Sequence, residues 1–158
     1  MSTHPRIIEG GAVVSGARIA IVAARFNTLV VDKLVSGALE TLHAQGVRDE
    51  NLTLIWVPGA FEIPLIAKRL TASTHYDAVI ALGAVIRGET PHFDLVAGEC
   101  ARGISQVALD SGIPVAFGVL TCDTLEQALA RASGSAGNKG TDAALAALNM
   151  AGLLRKLG

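Results

Sequence analysis

Apolar positions along the chain follow two alternating patterns. Ala17–Ala24, Asn51–Val57, Tyr76–Val85 and Pro114–Thr121 are near-continuous apolar runs, the pattern of strands in a parallel sheet covered on both faces. Between them, apolar residues recur at three- and four-residue spacing. Val31, Leu34, Val35, Ala38 and Leu42 form such a stripe, which stops near Gly46 and predicts a first helix. A second helix is expected from about Phe61, with Pro64 in the opening turn, where proline is tolerated. A third is expected from Pro91 to about Asp110 and a short fourth from Thr124 to about Ala132. The last runs from about Lys139 to Leu157, with Ala146, Met150, Leu153 and Leu157 on one face. Strand and helix alternate through four units, which predicts an open α/β sheet with right-handed crossovers. Arg6–Glu9 reads as a short extra strand, cut off from the first core strand by Gly10, Gly11 and Gly16. Such a strand needs an edge to pair with, and a neighbouring chain offers one.

At 158 residues the chain suits a single domain over 1–158, with 1–11 as an N-terminal arm. It is 51% apolar and 17% charged, which excludes disorder for most of its length. So few charges on a small chain imply that much outer surface is hidden against other chains. The 13 basic residues nearly cancel the 14 acidic ones, so nucleic-acid binding through bulk charge is not expected. The longest apolar stretch, Ala78–Ile86, falls far short of the ~20 residues a membrane helix needs. No apolar segment of secretory type follows the opening Met-Ser-Thr-His-Pro-Arg. Cys100 and Cys122 form no CxxC pair, as expected of a reduced cytoplasmic protein.

In open α/β sheets ligands bind beyond the carboxyl ends of the strands. Here the first three strands run into Arg25-Phe26-Asn27-Thr28, Val57-Pro-Gly-Ala-Phe-Glu62 and Arg87-Gly-Glu-Thr-Pro-His92. In the third loop Thr90 suits an N-cap and Pro91 the first helical position, while Gly88 lets the backbone approach a ligand closely. The unpaired amides and positive dipole end of a helix start favour an anion. His92, one residue inside that helix, could move protons beside it. An ordinary capped helix with a surface histidine would carry the same residues. Phe26 and Phe61 could be core residues, although Asn27 beside Phe26 suits a heterocycle. Glu62 could accept hydrogen bonds from hydroxyls or simply favour the start of the second helix.

Other chemistries find less support. Gly134-Ser-Ala-Gly-Asn-Lys-Gly-Thr141 departs from the Walker pattern, because glycine follows Lys139 and a helix precedes the loop. His4, His43, His75 and His92 show no metal-ligand spacing, and there is no GxSxG elbow.

Five segments together resemble the 6,7-dimethyl-8-ribityllumazine synthase family. They are Arg25-Phe-Asn27, Val57-Pro-Gly-Ala-Phe-Glu-Ile-Pro64, Leu82–Asp94 (LGAVIRGETPHFD), Phe117-Gly-Val-Leu-Thr121 and Ala136-Gly-Asn-Lys-Gly140. The resemblance spans Ile8 to Leu154. It implies a three-layer α-β-α fold with a four-stranded parallel sheet, of flavodoxin-like type. It also implies a transferase that joins 5-amino-6-(D-ribitylamino)uracil to 3,4-dihydroxy-2-butanone 4-phosphate, releasing phosphate and water without a cofactor or metal. This is the penultimate step of riboflavin biosynthesis.

By the same resemblance Phe26 stacks on the pyrimidine and Ala60 and Glu62 lie beside the ribityl chain and ring, with Asn27 and Phe61 counted among the substrate-binding residues. Val85 and Ile86 belong to the same substrate site, and Gly88, Glu89 and Thr90 to the loop that holds the phosphate. His92 matches the proton-transfer residue, Arg131 the phosphate-pairing arginine, Lys139 a lysine near the pyrimidine and Phe117 a wall from the adjacent subunit. The expected assembly is a homopentamer, in many members twelve pentamers in a sixty-subunit capsid, with riboflavin synthase a further partner. Glu89, Pro91 and Ser133-Gly-Ser135 lie where the family varies, while the compact Arg131–Gly140 turn favours the shell. Two other readings keep the fold: an archaeal-type riboflavin synthase, and a non-catalytic flavin or lumazine carrier. His92 and Arg131 together argue against the carrier; the Gly88–His92 loop with Ala136–Gly140 argues against the riboflavin synthase.

Topology adds an expectation of its own. A helix after the fourth strand returns antiparallel to the sheet, which would carry Arg131 and Lys139 to the amino edge, away from His92. A phosphate touching both the His92 loop and Arg131 would then need a second chain placed head to tail.

Overall fold

A computed structural model of the chain describes residues 4–11 and 15–158. Four strands, β1 (Ile19–Ala24), β2 (Leu52–Val57), β3 (Ala78–Ile86) and β4 (Val115–Cys122), form one parallel sheet in the order β2-β1-β3-β4. The helices are α1 (Thr28–Ala44), α2 (Ile63–Ala72), α3 (His92–Ser111), α4 (Leu125–Ser133) and α5 (Lys139–Leu157), with 3₁₀ turns at Asp49–Asn51 and Ala60–Glu62. Each of the four expected core strands and five expected helices is present to within two or three residues at either end. The third helix starts at His92, one residue later than expected; the Thr90 hydroxyl accepts from the His92 amide at 3.4 Å.

Side chains alternate across β1 and so build two cores. Ile19, Ile21 and Ala23 pack with α1, α4 and α5 on one face; Ala20, Val22 and Ala24 pack with α2 and α3 on the other. The stripe read for α1 is the buried one, with Val31, Leu34, Val35, Ala38 and Leu42 all inside.

Three expectations differ from the structure. β1 and β3 are buried almost throughout, but β2 and β4 are edge strands, and Leu54 and Phe117 stay exposed. In α5 the face with Ala146, Met150 and Leu157 points outward, while Ala143, Ala144, Ala147, Leu148 and Ala151 meet the sheet. Residues 6–9 are not a strand in the single chain and pair with neither sheet edge; the pairing expected of them is with a neighbouring chain. They are tethered near α5, where Lys156 Nζ donates to the Glu9 carbonyl at 2.5 Å. Residues 1–3 of the expected arm lie outside the described residues.

α1 and α5 approach closely where Gly37 and Gly140 meet Asn138. A Cβ on Gly140 would lie 2.0 Å from the Leu34 carbonyl oxygen, and one on Gly37 would overlap the Asn138 side chain. Asn138 occupies the space these glycines leave. Its Oδ1 accepts from the Gly140 and Thr141 amides and so caps α5, and its Nδ2 donates to the carbonyls of Lys33 and Ala132. One side chain thereby joins α1, α4 and α5.

Candidate active site

The chain leaves β1 outward to β2 and returns on the other side of β1 to β3. The carboxyl ends of β1 and β3 are therefore the topological switch point, where open α/β sheets form a crevice. A cavity of about 670 Å³ lies there, within the usual size range of small-molecule sites.

Three loops build it. After β1, Asn27 takes the left-handed conformation (φ 64°), which asparagine tolerates better than most residues. Its Nδ2 donates to the Ala84 carbonyl at 2.8 Å, tying the β1 loop to β3. Asn27 lines the cavity, but its amide hydrogens serve this tie as well. Phe26 is 73% exposed, so its ring stands at the cavity wall and not in the core.

After β2, Pro58–Glu62 supplies the facing wall. Phe61 is 58% exposed and Ala60 is buried. A Cβ on Gly59 would lie 3.2 Å from Glu62 Oε1, so glycine leaves that carboxylate its place. The last residues of β3, Ala84, Val85 and Ile86, form the floor, and the loop after it puts Gly88, Thr90 and His92 at the rim. Pro91 at the N-cap has no side-chain acceptor; the His92 amide makes only a long contact to Thr90 and the Asp94 amide bonds the Pro91 carbonyl, so the positive dipole end of α3 stays open to an anion beside His92.

The cavity thus brings together Phe26, Asn27, Ala60, Phe61, Glu62, Val85, Ile86, Gly88, Thr90 and His92. Glu89, exposed in the same loop, does not line it. Phe93, Leu95 and Val96 line it without having been singled out in the sequence; they carry the ordinary apolar spacing of a helix and give no separate signal.

Phe117, Arg131 and Lys139 lie elsewhere. They line a second concavity of about 390 Å³ along β4, with Cys122 and Asp142, and it has no residue in common with the first. The expectation that Arg131 sits at the amino edge is corrected here. Helix α4 has nine residues, too few to run back along an eight-residue strand at 1.5 Å of rise per helical residue. Arg131 lines the concavity together with Thr121 and Cys122, the last residues of β4. Its Nη1 donates to the Gln127 carbonyl at 3.0 Å. Lys139 follows directly on the Asn138 cap.

One chain therefore carries an apolar, aromatic cavity with an anion-ready helix start, and separately a cationic concavity with one aromatic ring. Residues 16–155 match the family model for 6,7-dimethyl-8-ribityllumazine synthase. The chain belongs to that family. A 6,7-dimethyl-8-ribityllumazine synthase of Desulfotalea psychrophila (strain LSv54 / DSM 12343) is 54% identical over 153 residues, 97% of this chain and 99% of the relative. Among the described residues no helix is long and apolar enough to cross a membrane.

Proposed function

We propose that this chain forms 6,7-dimethyl-8-ribityllumazine at sites completed by a second copy of itself. The reaction is the family's: 5-amino-6-(D-ribitylamino)uracil condenses with 3,4-dihydroxy-2-butanone 4-phosphate, with loss of phosphate and water. The observation that carries the shared site is the division of the candidate residues between two concavities with no residue in common. In a ring of copies set head to tail, the β4 concavity of one chain faces the switch-point cavity of the next.

In this reading Phe26 stacks on the pyrimidine, and Glu62 accepts hydrogen bonds from the polyol. The Gly88–Thr90 backbone and the α3 amides hold the phosphate. The amine attacks the ketone to give a carbinolamine and then an imine, with His92 moving the protons. Arg131 and Lys139 of the neighbouring copy approach from the other side, where a guanidinium stabilises phosphate as it leaves. The substrates are reactive by themselves, so much of the rate comes from positioning. We place the chain in the cytoplasm as a homopentamer, with twelve pentamers closing into a sixty-subunit shell and riboflavin synthase a further partner.

The direct test is incubation of the protein with both substrates. The reading predicts the lumazine absorbance and free phosphate together; neither product from well-folded protein would end it. Arg131→Ala is expected to weaken use of the butanone phosphate by roughly 10–100-fold, for one charge-assisted contact of about 1.5–3 kcal/mol. Steady-state kinetics in each substrate check this. A loss confined to the pyrimidine would contradict the assignment.

A further inference from the structure

Arg87 stands between β3 and the rim loop, and its guanidinium holds both sides of that loop. Nε donates to Asp123 Oδ1 at 2.8 Å, just beyond β4, and Nη2 lies 3.5 Å from Asp94 Oδ1 in the first turn of α3. The guanidinium also lies over the Phe93 ring, 4.4 Å from its centroid, and Phe93 lines the cavity. The Arg87 backbone amide donates to the Cys122 carbonyl at 2.9 Å. Asp123 is itself fixed, because its amide donates to Gln127 Oε1 at 2.8 Å within the capping box that starts α4.

The loop between these anchors has little of its own to fix its shape. Residues 88–91 are exposed, and a Cβ on Gly88 would meet nothing within 4 Å. The contact from the His92 amide to Thr90 is long, at 3.4 Å. Placement of Gly88, Thr90 and His92 therefore depends on how firmly the two ends are held.

We infer that Arg87 is a positioning residue. By gripping Asp123 and Asp94 while lying on Phe93, it sets the 88–92 loop in the shape that receives the phosphate of the butanone substrate. This rests on the function proposed above. Exposed ion pairs contribute little to stability, so the value of the grip lies in geometry. A planar fork can satisfy two carboxylates and stack on a ring together; a lysine ammonium cannot. The hydrogen bond to Asp123, more than the nearby Asp94 charge, raises the Arg87 pKa further above the usual arginine range.

The test is kinetics in each substrate for wild type, Arg87→Ala, Arg87→Lys, Asp123→Asn and Asp94→Asn, with melting curves for each. Arg87→Ala is expected to raise KM for the butanone phosphate by about 10–100-fold, the scale of a misplaced binding group, with pyrimidine KM held. Arg87→Lys should keep most of the defect. The carboxamide variants should shift the same KM in the same direction. A direct contact between Arg87 and phosphate predicts the opposite for Asp123→Asn, since a freed guanidinium would bind phosphate as well or better. That result, full rescue by Arg87→Lys, or wild-type kinetics for Arg87→Ala would each overturn the inference. A wild-type protein that forms no lumazine would overturn the functional reading instead.

Discussion

His92→Ala is expected to lower kcat by about 10²–10⁴-fold, while KM for either substrate moves by less than about threefold. The sign follows from where the residue sits. His92 is at the rim of the switch-point cavity, on the first residue of α3, next to the loop proposed to hold the phosphate. A group that acts only while protons move is lost from kcat and kcat/KM alike. The ring opens into a large cavity, so added imidazole should restore part of the rate. Unchanged kcat in correctly assembled protein would remove His92 from the chemistry and leave it as a surface residue of a capped helix.

Gly140→Ala is expected to give the largest change in stability. The added methyl would sit 2.0 Å from the Leu34 carbonyl oxygen and 2.7 Å from its carbon. Both atoms are backbone in the middle of α1, whose neighbours Val30, Val31 and Ala38 are fully buried, so no flexible side chain can yield. Either α1 and α5 separate or the Asn138 network breaks, and interiors packed to crystal density resist both. A cost above about 3 kcal/mol in urea unfolding is expected. A cost below about 1 kcal/mol would show that α1 and α5 can part without penalty. Any protein that does assemble should also lose activity, because Lys139 lies between Asn138 and Gly140.

The elements were legible wherever the local pattern and the final packing agree. The α1 stripe reads directly as its buried face, and the continuous runs of β1 and β3 read as central strands. β2 and β4 carry similar runs but end at the edges, because strand order is decided by crossovers that composition does not record. In α5 the larger residues Met150 and Leu157 carry the stronger hydrophobic pattern, while the core face is built mostly of alanines. Small side chains there let α5 come close to α1, which a hydrophobicity pattern weighs too lightly. At the site, the three loops could be read because strand ends in α/β sheets gather ligands. Two features could not. The Arg87 to Asp123 pair joins residues 36 apart, and no local signal marks it. The Gly-Asn-Lys-Gly segment reads as a failed phosphate loop, whereas Asn138 serves as a helix cap that holds three helices together.

The central claim is that each site is built by two chains, and mixing two inactive variants tests it most directly. His92→Ala and Arg131→Ala chains are refolded together in equal amounts, and lumazine formation is measured on rings verified to contain both. If His92 comes from one chain and Arg131 from the next around a head-to-tail ring, random neighbours leave about a quarter of the sites with both residues intact. Activity should then approach a quarter of the wild-type level, well above either variant alone. Mixed rings with no recovered activity would mean that one chain supplies both residues to a site, and the account of two complementary concavities would be wrong.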